Sequence, residues 1–138
     1  INCKQIRTDS TWARGGIRPA VDSYGWIERL TNGPKAQFYN RVVDENKPSQ
    51  IVTSSIVLYE VYKRVKHLKD EQRALEATAA IGQTYVAPVD ESIALEAADH
   101  SLEHGLHMAD AIVYATARHH EAILYTCLLY TSPSPRDR

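Results

Sequence analysis

The central part of this chain has no cysteine. Both cysteines, Cys3 and Cys127, lie in the flanks, which leaves residues 17–126 without a disulfide framework or a thiolate metal site. Long hydrophobic runs are missing as well: no segment approaches the roughly 20 apolar residues needed to span a bilayer, and no charged-then-apolar start marks a signal peptide. The expected location is the cytoplasm, with no membrane partner. His67, His100, His104, His107, His119 and His120 are scattered without a zinc spacing such as HExxH. The pair His119 and His120 is explained by a helix C-terminus. A basic excess is also lacking. The formal net charge is −1, and Lys4, Arg7, Arg14, Arg136 and Arg138 against Asp9 and Asp137 place +3 in the flanks, which leaves about −4 for residues 17–126. Such a domain has no broad basic footprint for tight, sequence-independent nucleic-acid binding. An enzyme that meets phosphates through divalent cations stays open, because bound cations reverse the local sign.

What is present is enough for one hydrophobic core: 138 residues, 43% of them hydrophobic. Arg18-Pro19-Ala20-Val21 reads as a strand, and Ser23 as the cap of a helix over Tyr24 to Leu30 with Trp26, Ile27 and Leu30 inward. After the turn Thr31-Asn32-Gly33-Pro34, a helix over Lys35 to Asp44 turns Phe38 and Val42 to the core. Ile51-Val52-Thr53 is a second strand, followed by a helix capped by Ser54 or Ser55 that buries Val57, Val61, Val65 and Leu68. A helix from Asp70 to Ile81 presents Leu75 and Ala79 inward, then Tyr85-Val86-Ala87 forms a strand and Asp90 caps a helix carrying Ile93, Leu95 and Ala97. Gly105 opens the small-residue helix Met108 to Ala117, and Ala122 to Thr126 is the fourth strand. Strands alternating with helices predict a three-layer α/β/α domain with a mostly parallel sheet.

The flanks read differently. Residues 1–16 lack periodicity and end in Gly15-Gly16, so a flexible leader outside the fold is expected there. Residues 127–138 break every earlier pattern; Cys127 to Asp137 resembles the in-frame translation of a transposase adapter used in sequencing libraries, codon for residue. The domain is therefore expected over residues 17–126, incomplete at its C-terminus.

Three acids stand out. Asp22 follows the first strand, where ligands bind in open α/β sheets, yet it also reads as an ordinary cap or turn acid. Glu60 sits at the edge of an apolar stripe, and an i,i+4 pair with Arg64 accounts for it equally well. Asp110 lies in the first turn of its helix, where it complements the macrodipole. In a three-layer fold all three would converge on the carboxyl edge of the sheet.

The ordered set Val21-Asp22-Ser23 with Trp26-Ile27, Val52-Thr53-Ser54-Ser55 leading to Leu58-Tyr59-Glu60-Val61, and Gly105-Leu106-His107-Met108-Ala109-Asp110-Ala111 through Ala117, followed by Ile123 to Thr126, resembles the PIN-domain family of VapC-like ribonucleases. The resemblance implies an endoribonuclease dependent on Mg2+ or Mn2+, commonly the toxin of a toxin–antitoxin pair, acting on RNA, held by a cognate antitoxin and usually homodimeric. It implies Asp22, Glu60 and Asp110 as metal ligands and catalytic residues, with Ser23 and Thr53 orienting a ligand or water. Hard divalent cations suit such a carboxylate set. The family places a further acid two residues beyond the threonine of the last strand, where this sequence has Leu128. The chain as it stands is therefore expected to be impaired. Two other classes compete. A noncatalytic PIN-like binding module would keep the acids as relics, and a phosphoacceptor receiver domain would need paired acids after the first strand and a late lysine, which Asp22-Ser23 and Thr126 do not supply.

Overall fold

A computed structural model describes residues 4–6 and 18–126. In chain order these form β1 (Lys4–Ile6), β2 (Pro19–Val21), α1 (Ser23–Thr31), α2 (Ala36–Asp44), a 3-10 turn (Pro48–Gln50), β3 (Val52–Ser54), α3 (Ser55–Leu68), α4 (Glu71–Ile81), β4 (Tyr85–Ala87), α5 (Glu91–His104), α6 (Met108–His119) and β5 (Ile123–Thr126). The strands make one sheet in the order β1-β5-β2-β3-β4. All pairings are parallel except that of β1 with β5, in keeping with the expected α/β/α class. Among the described residues no helix is long and apolar enough to cross a membrane.

One expectation about the flanks is corrected. Lys4–Ile6 pair antiparallel with Thr126, Tyr125 and Leu124, so part of the expected leader belongs to the sheet. A triplet such as Lys4-Gln5-Ile6 is too short to register as a strand until a partner edge is known. The other residues of the expected leader and tail, 1–3, 7–16 and 127–138, lie outside the described residues.

The core sits where the short strands meet the helices. Val21, Val52 and Leu124 are buried on neighbouring strands, and Val57, Val61 and Val65 of α3 pack among them at helical spacing. Ser54 caps α3, its hydroxyl accepting from the Ile56 N–H at 3.3 Å. Asp70 and Asp90 likewise cap α4 and α5 through Arg73 N–H at 2.8 Å and Ile93 N–H at 3.0 Å. At Gly105 the chain turns through φ 69°, a left-handed conformation that ends α5 and aims the backbone into α6.

Several facing assignments differ from expectation. Leu68, Leu75 and Leu95 are exposed, whereas Ala74, Ala77, Ile93 and Ala97 are buried. Ala97 packs with Ala111 and Ala115, and the small side chains let α5 and α6 lie close together while Leu95 stays outside. Tyr39 is wholly buried against the Gly25 side of α1, a position that its sequence neighbours Phe38 and Val42 mask.

Candidate metal centre

The site is built around the junction of β2 and α1. Val21 pairs with Tyr125 across parallel strands, so the next residues, Asp22 and Thr126, stand side by side at the carboxyl edge. Asp22, not Ser23, is the N-cap of α1: its Oδ1 accepts from the Gly25 N–H at 2.8 Å. Both residues are good caps, and only the backbone decides which one occupies the extended position before the first turn. The other carboxylate oxygen, Oδ2, accepts from Thr126 Oγ1 at 2.6 Å. Asp22 is 6% exposed. Burial pushes its carboxyl up to about 6 despite the hydrogen bonds from Thr126 and Gly25, and the negative charges of Asp110 and Glu60 push the same way.

Glu60 lies on α3 one residue before buried Val61, half-buried at the edge of the apolar stripe. It forms a hydrogen bond with the Ser23 side chain and no ion pair with Arg64, so the local i,i+4 explanation does not apply. Burial raises its carboxyl, Ser23 opposes that, Asp110 adds to it and the Lys63 ammonium lowers it. Asp110 occupies the first turn of α6, half-buried, and its carboxyl is raised by burial with His107 acting in the opposite sense. Residues far apart in sequence thus share one electrostatic neighbourhood.

The two expected orienting residues separate. Ser23 meets Glu60, as described. Thr53 is wholly buried and serves the packing of the sheet instead. The Thr84 hydroxyl donates to the Ile81 carbonyl at 2.7 Å, so at 2.8 Å its oxygen accepts the Thr53 proton. That bond ties β3 to the turn that follows α4. Thr126 joins the site with no local motif to mark it in the sequence, because its role depends on β5 lying next to β2. The position of the expected fourth acid, Leu128, lies outside the described residues.

The donor set fits a hard divalent cation. It is all oxygen, burial holds all three carboxyls above their ordinary values with neighbouring acids adding to this at Asp22 and Glu60, and a bound cation would favour the ionised forms. The spacing is open: among the described residues, the one set of three or more His, Cys, Asp or Glu ligand atoms within 4.8 Å of one another is His100, Glu103 and His104 on α5. Mg2+ keeps several waters and is typically held by one or two carboxylates plus a substrate phosphate, so a wide carboxylate frame suits it better than a closed cage. Beside Ser23 and Glu60 a groove of about 370 Å³ opens between α1 and α3, with Lys63, Arg64 and His67 along its α3 wall.

Known proteins share this fold. No curated protein sequence matches the chain. The fold is similar to that of a toxin–antitoxin complex from Klebsiella pneumoniae, at 24% identity and TM-score 0.62, over 77% of this chain and 82% of that one. It is similar also to VapC20 of Mycobacterium tuberculosis, described as a toxin that cleaves the sarcin–ricin loop, at 18% identity and TM-score 0.66, over 75% and 84% of the two chains. A DNA-bound VapBC from Salmonella typhimurium matches at 18% identity and TM-score 0.57, over 73% and 79%. The sequence model of the PIN domain matches residues 21–127, a span that contains Asp22, Glu60, Asp110 and Thr126 and most of the sheet, and the chain belongs to the PIN-domain family.

Proposed function

We propose that this protein is a divalent-cation-dependent endoribonuclease that hydrolyses RNA phosphodiester bonds, acting as the toxin of a toxin–antitoxin pair. The observation that carries this reading is the gathering of Asp22, Glu60 and Asp110 at one sheet edge, where Asp22 is buried and its carboxyl is pushed up to about 6 by burial and its neighbours. Three mutually repelling acids at a helix-lined edge cost stability that a module working through other surfaces need not bear. Family membership and the toxins among the similar folds support the same direction.

In this reading Asp22, Glu60 and Asp110 hold Mg2+ or Mn2+. The cation supplies Lewis-acid charge for the phosphate and a water acidified toward neutrality. Asp22 is the most rigidly placed of the three, since both of its oxygens are already oriented, one by Gly25 and one by Thr126. Ser23 fixes the Glu60 carboxylate, and the start of α6 favours the ionised form of Asp110. The partners that go with this role are an RNA substrate, a cognate antitoxin and a second copy of the chain, in the cytoplasm.

The test is cleavage of a mixed RNA substrate with Mg2+ and with EDTA, by the protein and by its Asp110→Asn variant. Cleavage that needs the cation and falls by roughly a hundredfold or more in the variant is expected. Equal activity in both proteins overturns the assignment.

A further inference from the structure

We propose that the groove between α1 and α3 seats the single-stranded RNA flanking the scissile phosphate, with Arg64 and Lys63 meeting backbone phosphates and the Tyr59 ring stacking on a base. This rests on the ribonuclease reading above and names which part of the surface presents the substrate.

The geometry begins with helical periodicity. Glu60, Lys63, Arg64 and His67 fall at successive i, i+3, i+4 and i+7 positions of α3, so they form one stripe on one face. At 1.5 Å per residue the stripe runs roughly 10 Å from the acid toward the end of the helix. It therefore leads directly out of the carboxylate centre. Opposite it, Tyr24 and Ile27 of α1 form the second wall, and Ser23 and Glu60 line the groove and belong to the centre at once.

Of the two cations along this wall, Arg64 is the one left available. Arg64 is exposed and makes no ion pair among the described residues, although Glu60 sits one turn before it. The Lys63 ammonium approaches the Tyr59 hydroxyl at 3.3 Å and lies 5.4 Å from the ring centroid, which holds it over the groove beside Glu60. Lys66 does not line the groove and is by contrast within 3.8 Å of Glu71. In a domain whose net charge is about −4, Lys63 and Arg64 stand side by side along one wall, next to the acids. A phosphate chain suits this pairing, since it carries its charges in a row: one phosphate would lie at the proposed cation centre while its neighbours meet Lys63 and Arg64.

Tyr59 decides the class of nucleic acid. It is 59% exposed; Lys63 covers one face of its ring, and a base would stack on the other. Exposed aromatic rings among cations form the usual platform for unpaired bases, which stack while their backbone follows the charge. A paired helix offers no free base face to such a ring.

The experiment measures steady-state cleavage of a short fluorogenic single-stranded RNA across a salt series, for the full chain and for Arg64→Ala, Arg64→Lys, Tyr59→Ala, Tyr59→Phe and Lys66→Ala. In parallel, fluorescence anisotropy of the same oligonucleotide is followed on Asp110→Asn with and without Arg64→Ala. Arg64→Ala is expected to raise KM about tenfold with kcat within about twofold, and to make the logarithmic salt dependence shallower by roughly 0.7. Arg64→Lys restores most of that slope. Tyr59→Ala raises KM by about tenfold and Tyr59→Phe restores it, because the ring and not the hydroxyl does the stacking. Lys66→Ala leaves KM within about twofold. An unchanged KM and salt slope in Arg64→Ala and Tyr59→Ala overturns the proposal, and so does an equal loss in Lys66→Ala, which would show diffuse charge only. A groove that holds a protein segment gives the same unchanged RNA values and overturns it too. If the full chain shows no cation-dependent cleavage, the ribonuclease reading fails separately, and the anisotropy difference still decides the groove.

Discussion

Thr126 Oγ1 donates to Asp22 Oδ2 at 2.6 Å across 104 residues, joining the ends of two parallel strands. This hydrogen bond favours the ionised carboxylate, in opposition to burial. Replacing Thr126 with valine keeps the shape and removes the donor. Stability should fall by about 1.5 to 3 kcal/mol at pH 8, where the acid is charged, and by less at pH 5. The pH midpoint of cation-dependent activity should also move upward. Urea denaturation at the two pH values and a pH–rate profile measure both effects; equal losses at the two pH values would contradict the role assigned to the hydroxyl.

Asp22 also sets a pH dependence of folding. Its carboxyl is near 6 in the fold against an ordinary 3.8, so between those values the folded chain retains a proton that the unfolded chain has lost. Stability from this group is therefore full below about pH 4, declines as pH rises toward 6 and is flat above, by about 2 to 3 kcal/mol in the absence of a divalent cation. Asp22→Asn should abolish cleavage and remove that decline, leaving the variant about 1 to 2 kcal/mol more stable at pH 7.5. Denaturation in EDTA from pH 4 to 8 compares the two slopes.

Cation binding should run against the proton. Below about pH 6 Asp22 holds its proton, burial shifts Glu60 and Asp110 in the same direction, and a divalent cation competes with protons for the centre. Millimolar Mg2+ is expected to raise Tm by several degrees at pH 7.5 and to do little at pH 5. Asp110→Asn should lose the effect at both values. Differential scanning calorimetry reads all four conditions.

Gly25 couples the core to the centre. A Cβ at this position would run into the Tyr39 ring and the Val21 side chain, while the Gly25 N–H holds Asp22 Oδ1. Gly25→Ala should cost about 2 to 3 kcal/mol through overpacking and lower kcat as Asp22 is displaced. A thermal melt together with cleavage at a saturating substrate level tests the pair of effects. Loss of stability with unchanged kcat would separate packing from catalysis.

The sequence makes a helix start legible where the cap is explicit, as at Asp90, leaves Ser54 and Ser55 as alternatives before α3, and marks Asp22 and Asp110 near element starts and Glu60 at the edge of an apolar stripe. What it leaves open is which side of a helix meets a neighbour. In α4 the leucine reads as the inward residue, yet Ala74 and Ala77 are buried and Leu75 is exposed, because close helix approach favours small side chains over greasy ones. The Asp22–Thr126 bond and the Thr53–Thr84 bond depend on strand order, which no local spacing encodes. Lys4–Ile6 escape notice for the same reason: a triplet gains its meaning from the edge it pairs with.

Strand order also times the protein. β2 has β3 and β5 as its neighbours, and β1 pairs with β5, so the earliest strands wait for a late one. A chain made from its N-terminus can assemble the Asp22 cap and the α1–α3 wall well before residues 123–126 exist. Until then Asp22 lacks its Thr126 donor and the sheet edge is open. The carboxylate cluster is thus completed late: Asp22 meets its Thr126 partner only once β5 has been made and lies beside β2.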